Sequence, residues 1–153
     1  MSEVYVRRLS RVQQEYDATR DAVGYVMRNW QKQSISLDTQ GTGLEDLRRA
    51  AGNLEAVFVI RLFSMFEGIL REHLTQHHPG ITVPEEARAV WLIDRVAQRQ
   101  SPPIAPPLKS RVHDVRRYRN YLAHPSGRVP VETPFAMAIF RLSKFVDHLP
   151  EPR

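Results

Sequence analysis

Cysteine is absent from this chain of 153 residues, so it can form no disulfide, no thiolate metal centre and no cysteine nucleophile. That absence fits a reducing compartment. Lysine is almost as scarce. Only Lys32, Lys109 and Lys144 occur, so nearly all the positive charge is carried by arginine. No apolar run approaches the roughly 18 residues of a membrane span. The opening stretch MSEVYVRRLSRVQQEYDATRD is charged throughout, without the apolar segment of a secretory signal. We therefore expect a soluble, cytoplasmic protein with no membrane partner. The chain also lacks a glycine-rich phosphate loop, a paired-carboxylate motif and a Ser-His-Asp order. No segment alternates at the strand period, which excludes a sheet, and no internal repeat or low-complexity tail is visible.

What is present describes a globular helical protein. The chain is long enough for one substantial core but not two, which predicts a single domain over residues 1–153. At 42% apolar and 25% charged it falls outside the disordered and membrane classes. The 22 Lys and Arg exceed the 17 Asp and Glu, for a net charge of +5, which favours an anionic partner. Guanidinium suits bidentate contact with phosphate, although GC-rich coding would produce the same arginine bias.

Apolar residues recur at helical intervals over residues 2–33, including Val4, Leu9, Val12, Tyr16, Val23, Val26, Met27 and Trp30. The Ser-, Thr-, Asp- and Gly-rich stretch 34–43 reads as a loop. Thr42-Gly43-Leu44-Glu45 has the form of a capping box opening a second helix over 44–77. Phe58, Leu62, Met65, Phe66, Ile69 and Leu70 give that helix a wide apolar stripe, so it should be central, and His78-Pro79-Gly80 stops it. Thr82-Val83-Pro84-Glu85 predicts a shorter helix over 85–100 carrying Val90, Trp91, Ile93 and Val96. The four prolines of 101–107 should make a stiff connector, followed by a helix from about Leu108 to Ala123 or His124. Thr133-Pro134 restarts a last helix whose Phe135, Ile139, Leu142 and Val146 face inward. The expected fold is an all-α, up-and-down bundle of about five helices, with a long first helix and a core bundle over 44–148.

The fourth helix carries the unusual residues. At about 100° per residue, Leu108, Val112, Val115, Leu122 and Ala123 form its core-facing side, and Arg119 projects from the middle of it. A guanidinium there must be paired or lie at a pocket mouth or an interface. A second stripe, rotated by about 120°, holds His113, Arg117, Asn120 and His124, which can line one groove, and Arg116 lies between the two. Arginine, asparagine and histidine supply a fixed cation, an orienting amide and a proton-moving group, a set suited to phosphoryl transfer without metal. The same residues have structural readings. Arg119 can be a salt-bridge partner of Glu67 in the central helix, and His124 a C-terminal capping residue.

The segment Arg119-Asn120-Tyr121-Leu122-Ala123-His124-Pro125 resembles the signature of the HEPN superfamily (higher eukaryotes and prokaryotes nucleotide-binding domains). In it, an arginine is followed by a polar residue, usually asparagine, with a histidine four to six positions after the arginine. The pair Phe66-Glu67 in a central helix is similar to what many members carry, and the resemblance covers roughly residues 44–148. It implies an endoribonuclease with no cofactor and no metal, working as a homodimer whose motif helices face one another, in a toxin or defence system restrained by an antitoxin or other regulatory protein. His124 would serve as general base or acid, Arg119 would stabilise the phosphorane and Asn120 would orient one of them, giving 2′,3′-cyclic phosphate and 5′-hydroxyl ends. Arg116, Arg117 and His113 would hold the RNA. Members silenced by nucleotidylation carry a tyrosine two positions after the histidine, and here that position is Ser126. A different class, a catalytically silent helical dimer that binds a protein or a nucleotide, uses Arg119 only structurally.

Two other features compete. His73 and His77, at i and i+4 beside Glu72 and His78, could hold zinc, but the sequence offers no third ligand, and a helix C-terminus attracts histidine anyway. Arg7, Arg8 and Arg11, and Arg48 with Arg49, could grip RNA or simply be solvated helix faces. Trp30 and Trp91 sit at apolar helical positions and read as core.

Overall fold

The computed structural model describes residues 2–30, 43–125 and 127–153. The expectations for 31–33, for the loop 34–42, for Ser126 and for the Trp30 side chain lie outside what is described. The described chain is all-helical, without strands, and contains five helices: α1 Glu3–Trp30, α2 Leu44–His77, α3 Ala89–Arg99, α4 Pro106–Ala123 and α5 Phe135–Val146.

The second helix is the axis of the bundle, as its wide stripe predicts. It packs against each of the other four, while α1 touches α5, α5 touches α4 and α4 touches α3. The four outer helices therefore wrap α2 from one side to the other, leaving an opening between α1 and α3. Phe58, Val59, Leu62, Phe63, Phe66, Ile69, Leu70 and Leu74 are all buried. Phe66 meets Phe145 of α5 edge-on, with ring centres 5.5 Å apart. Met65 is the exception to the expected stripe. It is 37% exposed.

The helix ends show where sequence signals succeed and fail. The cap of α2 is Gly43: its amide donates to the Asp46 carboxylate at 3.2 Å, and the Asp46 amide donates to the Gly43 carbonyl at 3.1 Å. The expected role of Thr42 lies outside the described residues. The third helix starts four residues later than expected. Pro84 to Ala87 form a turn, closed by the Ala87 amide on the Pro84 carbonyl, and Arg71 of α2 donates to the carbonyls of Pro84 and Ala87 at 2.9 and 2.8 Å. Those two bonds take up acceptors that a longer helix would have used, and they pin the approach to α3 against α2. The fourth helix starts two residues earlier than expected, because Pro106 and Pro107 occupy its first turn, where the missing amides would have had no partner.

The first helix buries Tyr5, Leu9 and Val12 and rests Tyr16 between Phe58 and Phe135. Beyond that it leaves the core, and Val23, Val26 and Met27 are only half-buried. On α3, Val90 is exposed and Leu92 takes the core position beside Ile93 and Val96. Trp91 is half-buried, with the Arg95 guanidinium 5.4 Å from its ring centre. On α5 all four expected residues are buried. No helix among the described residues is long and apolar enough to cross a membrane.

Candidate active site

Arg119 leaves α4 toward α2. One of its terminal nitrogens donates to the Glu67 carboxylate at 2.6 Å, and the other donates to the Asn120 side-chain oxygen at 3.0 Å. Its guanidinium carbon lies 4.7 Å from the ring centre of Phe63, a cation–π contact with a buried ring. Three groups on two helices thus fix the plane of this cation. Its Nε is buried and has no partner among the described residues. The Arg119 and Glu67 side chains remain 22% and 24% exposed, so the pair lies at the mouth of a concavity rather than inside the core.

That concavity, of about 390 Å³, brings Arg116 beside Arg119, with Glu67 and Asn120 in its wall and the stretch Ala87 to Val90 opposite. Burial, together with the neighbouring charges of Arg117 and Arg119, lowers the Arg116 affinity for its proton from the usual arginine range. Two guanidiniums facing one space are poised for an anion. The Arg71 bonds described above hold the opposite wall in place.

His124 faces elsewhere. The fourth helix stays regular to its end, and the His124 amide still donates to the Asn120 carbonyl at 2.9 Å before the chain leaves the helix. Six residues from Arg119 to His124 on a regular helix separate the two side chains by about 140°. His124 is exposed and lines a second concavity of about 410 Å³ with Arg117, Asn120, Tyr121, Arg128 and Pro130. Its ring makes no hydrogen bond among the described residues. Asn120 borders both concavities and is the one residue common to the Arg119 side and the His124 side.

The predicted second stripe is therefore only partly assembled. Arg117, Asn120 and His124 share a groove, but His113 does not join them. Its Nε2 turns to Asp94 of α3 at 3.3 Å, beside Lys109 at 3.0 Å from the same carboxylate. Burial pushes the Asp94 carboxyl up, but the bonds from Lys109 and His113 outweigh it and hold the group below the usual carboxylate range. This cluster joins α3 to α4, so His113 ties the two helices together outside the groove that holds His124. Arg117 is bonded to Asp114, one turn back on its own helix. Tyr121, Arg128 and Pro130 were missed as wall residues by sequence reasoning, since nothing in a lone arginine five residues past the end of α4 marks the wall it will join.

The other histidines form a separate cluster at the far end of α2. His73 and His77 stack with ring centres 4.9 Å apart, and His78 meets His73 edge-on at 5.5 Å. His73 is buried, with Nε2 3.0 Å from the Gln100 amide nitrogen. Burial, then the neighbouring His77 and His78, lower its pKa from 6.5 to about 4. Among the described residues no group of three or more His, Asp or Glu side chains is arranged to hold a metal ion. Of the basic patches, Arg8 is bonded to Glu72, Arg7 lies 3.8 Å from Glu3, and Arg48 lies 3.9 Å from Glu45.

Compared with known protein families, curated proteins and solved structures, the chain matches none.

Proposed function

We propose that the chain is a metal-independent endoribonuclease of the HEPN kind, acting in the cytoplasm as a homodimer, and serving as a toxin or defence effector held in check by a regulatory protein. The observation that carries this reading is Arg119: a cation oriented by Glu67, Asn120 and Phe63 at the mouth of a concavity, five positions before an exposed and unbonded histidine. A helix that stays regular to Ala123 keeps Arg119 and His124 on different sides, so joint action on one phosphate calls for a second protomer.

The chemistry follows from the residues. A histidine base takes the proton from the ribose 2′-hydroxyl as its oxygen attacks the adjacent phosphorus. The protonated histidine then acts as the acid, giving a proton to the departing 5′-oxygen as the P–O5′ bond breaks, so each cutting site needs one His124. Charge that grows on the non-bridging oxygens meets Arg119, already oriented before the reaction begins. The ends are a 2′,3′-cyclic phosphate and a 5′-hydroxyl. DNA, without the 2′-hydroxyl, is not a substrate. The test is incubation of purified protein with transfer RNA and total RNA in EDTA, beside Arg119→Ala and His124→Ala. Cleavage that requires magnesium, or that survives both substitutions, refutes the reading.

One observation favours a second reading, the catalytically silent dimer that binds a protein or a nucleotide. Arg119 already has a carboxylate partner at 2.6 Å, as a purely structural arginine would. On that reading Arg119→Ala destabilises by about 2–3 kcal/mol, less than a fully buried pair because a quarter of it is exposed, while His124→Ala changes nothing measurable. Equal thermal stability of the two variants, with both inactive on RNA, rejects it.

A further inference from the structure

The concavity beside His124 does not end there. It adjoins another of about 380 Å³ bounded by Asp114, Val129 and Val131, and Arg117, Arg128 and Pro130 belong to both. The result is one groove along the outer side of α4, with two arginines at its midpoint. Gly127 makes this possible. Its φ of 75°, in the left-handed region, turns the chain after α4 so that residues 128–131 run back along the helix. The two cations differ: Arg117 is bonded to Asp114, a carboxylate it shares with Arg141 at 3.8 Å, whereas Arg128 forms no ion pair among the described residues. Beyond them Val129 and Val131 are 64% and 74% exposed and form an aliphatic wall of the groove.

A cationic midpoint with an aliphatic wall on one side complements a nucleotide, phosphate on guanidinium and base face on the apolar side chains. Building on the ribonuclease reading, in which His124 marks the bond that is cut, we propose that this groove binds the neighbouring nucleotide, its phosphate at Arg117 and Arg128 and its base against Val129, Pro130 and Val131. A base in an A-form duplex is stacked on both faces and cannot lie on such a wall, so the substrate is unpaired RNA at this position. Arg128, Val129 and Val131 bind and do not catalyse. Their loss raises KM and leaves kcat in place.

The experiment measures anisotropy of a fluorescein-labelled 2′-O-methyl oligoribonucleotide of about ten residues, uncleavable for want of the attacking hydroxyl, single-stranded and annealed to its complement. Wild type is expected to bind the single strand about tenfold more tightly than the duplex. Arg128→Ala should weaken single-strand binding about five- to tenfold and reduce the salt slope by about one, whereas Val129→Ser with Val131→Ser weakens it about threefold at unchanged slope. Equal affinity for duplex and single strand, or Arg128→Ala binding like wild type, overturns the proposal. Cleavage of RNA measured in parallel separates the two ideas. Cleavage together with Arg128-independent binding rejects the groove alone. Arg128-dependent binding to a protein that cleaves nothing rejects the ribonuclease and keeps the groove as a site for unpaired nucleic acid.

Discussion

Lowering the pH should loosen the end of the bundle where α2, α3 and α5 finish, through His73. This imidazole is buried, surrounded by His77, His78 and Gln100, and its pKa falls from 6.5 to about 4 on folding. The folded pKa is the lower one, so between these two values the unfolded chain binds more protons than the native chain, and stability rises with pH across that window. The contribution is complete above about pH 6.5 and is lost as the pH falls toward 4. The difference of about 2.5 pH units corresponds to roughly 3 kcal/mol, of which about 2.5 kcal/mol is already lost at pH 4.5. Urea unfolding at pH 7.5 and 4.5, for wild type and His73→Gln, checks this. Glutamine keeps a polar group for Gln100 but takes up no proton, so carboxylates and the other histidines cancel between the two proteins. The wild-type midpoint should fall by about 1–2 M relative to the variant on acidification. A stability difference between the proteins that does not change with pH refutes the reasoning, and one that grows in favour of wild type at low pH reverses its sign.

Three further outcomes follow from the site. Glu67→Gln removes the charge that orients Arg119 while keeping its shape, so kcat on RNA should fall about ten- to a hundredfold with little change in KM, and steady-state kinetics separates the two. Arg71→Ala releases the carbonyls of Pro84 and Ala87, at about 1–2 kcal/mol, and hydrogen exchange should accelerate in residues 84–90 before it does in α2. Gly127→Ala forces an L side chain into the left-handed region at about 1 kcal/mol, seen as a lower thermal midpoint, and should weaken oligonucleotide binding because Arg128 and Val129 move with the turn.

Much of this fold was legible because its signals are local. The limits of α2 follow from a capping box, Gly43 with Asp46, one residue further along than the sequence places it, and from the stop at His78 and Pro79, neither of which needs a tertiary partner. The errors arose where a distant residue or a position within a turn decides the outcome. Prolines at 106 and 107 look like helix breakers until one sees that the first turn of a helix has no use for their amides. Pro84 and Glu85 look like a start until Arg71, on another helix, takes the carbonyls. The site divides in the same way. Arg119 facing the core and Glu67 as its partner could be read from spacing and charge, because both sit on long regular helices. His113 was assigned to the groove because spacing cannot reveal Asp94 on α3. Arg128 was invisible because its place depends on one glycine reversing the chain.

In a dimeric ribonuclease as proposed, the placement of Arg119 and His124 on different concavities would let two broken proteins mend each other. If each cutting site takes its arginine from one protomer and its histidine from the other, a dimer of Arg119→Ala with His124→Ala contains one site with both defects and one site with none. Random pairing at equal amounts makes about half the dimers mixed, so two inactive preparations, unfolded and refolded together, regain about a quarter of the wild-type rate. A site built within a single protomer gains nothing from the mixture.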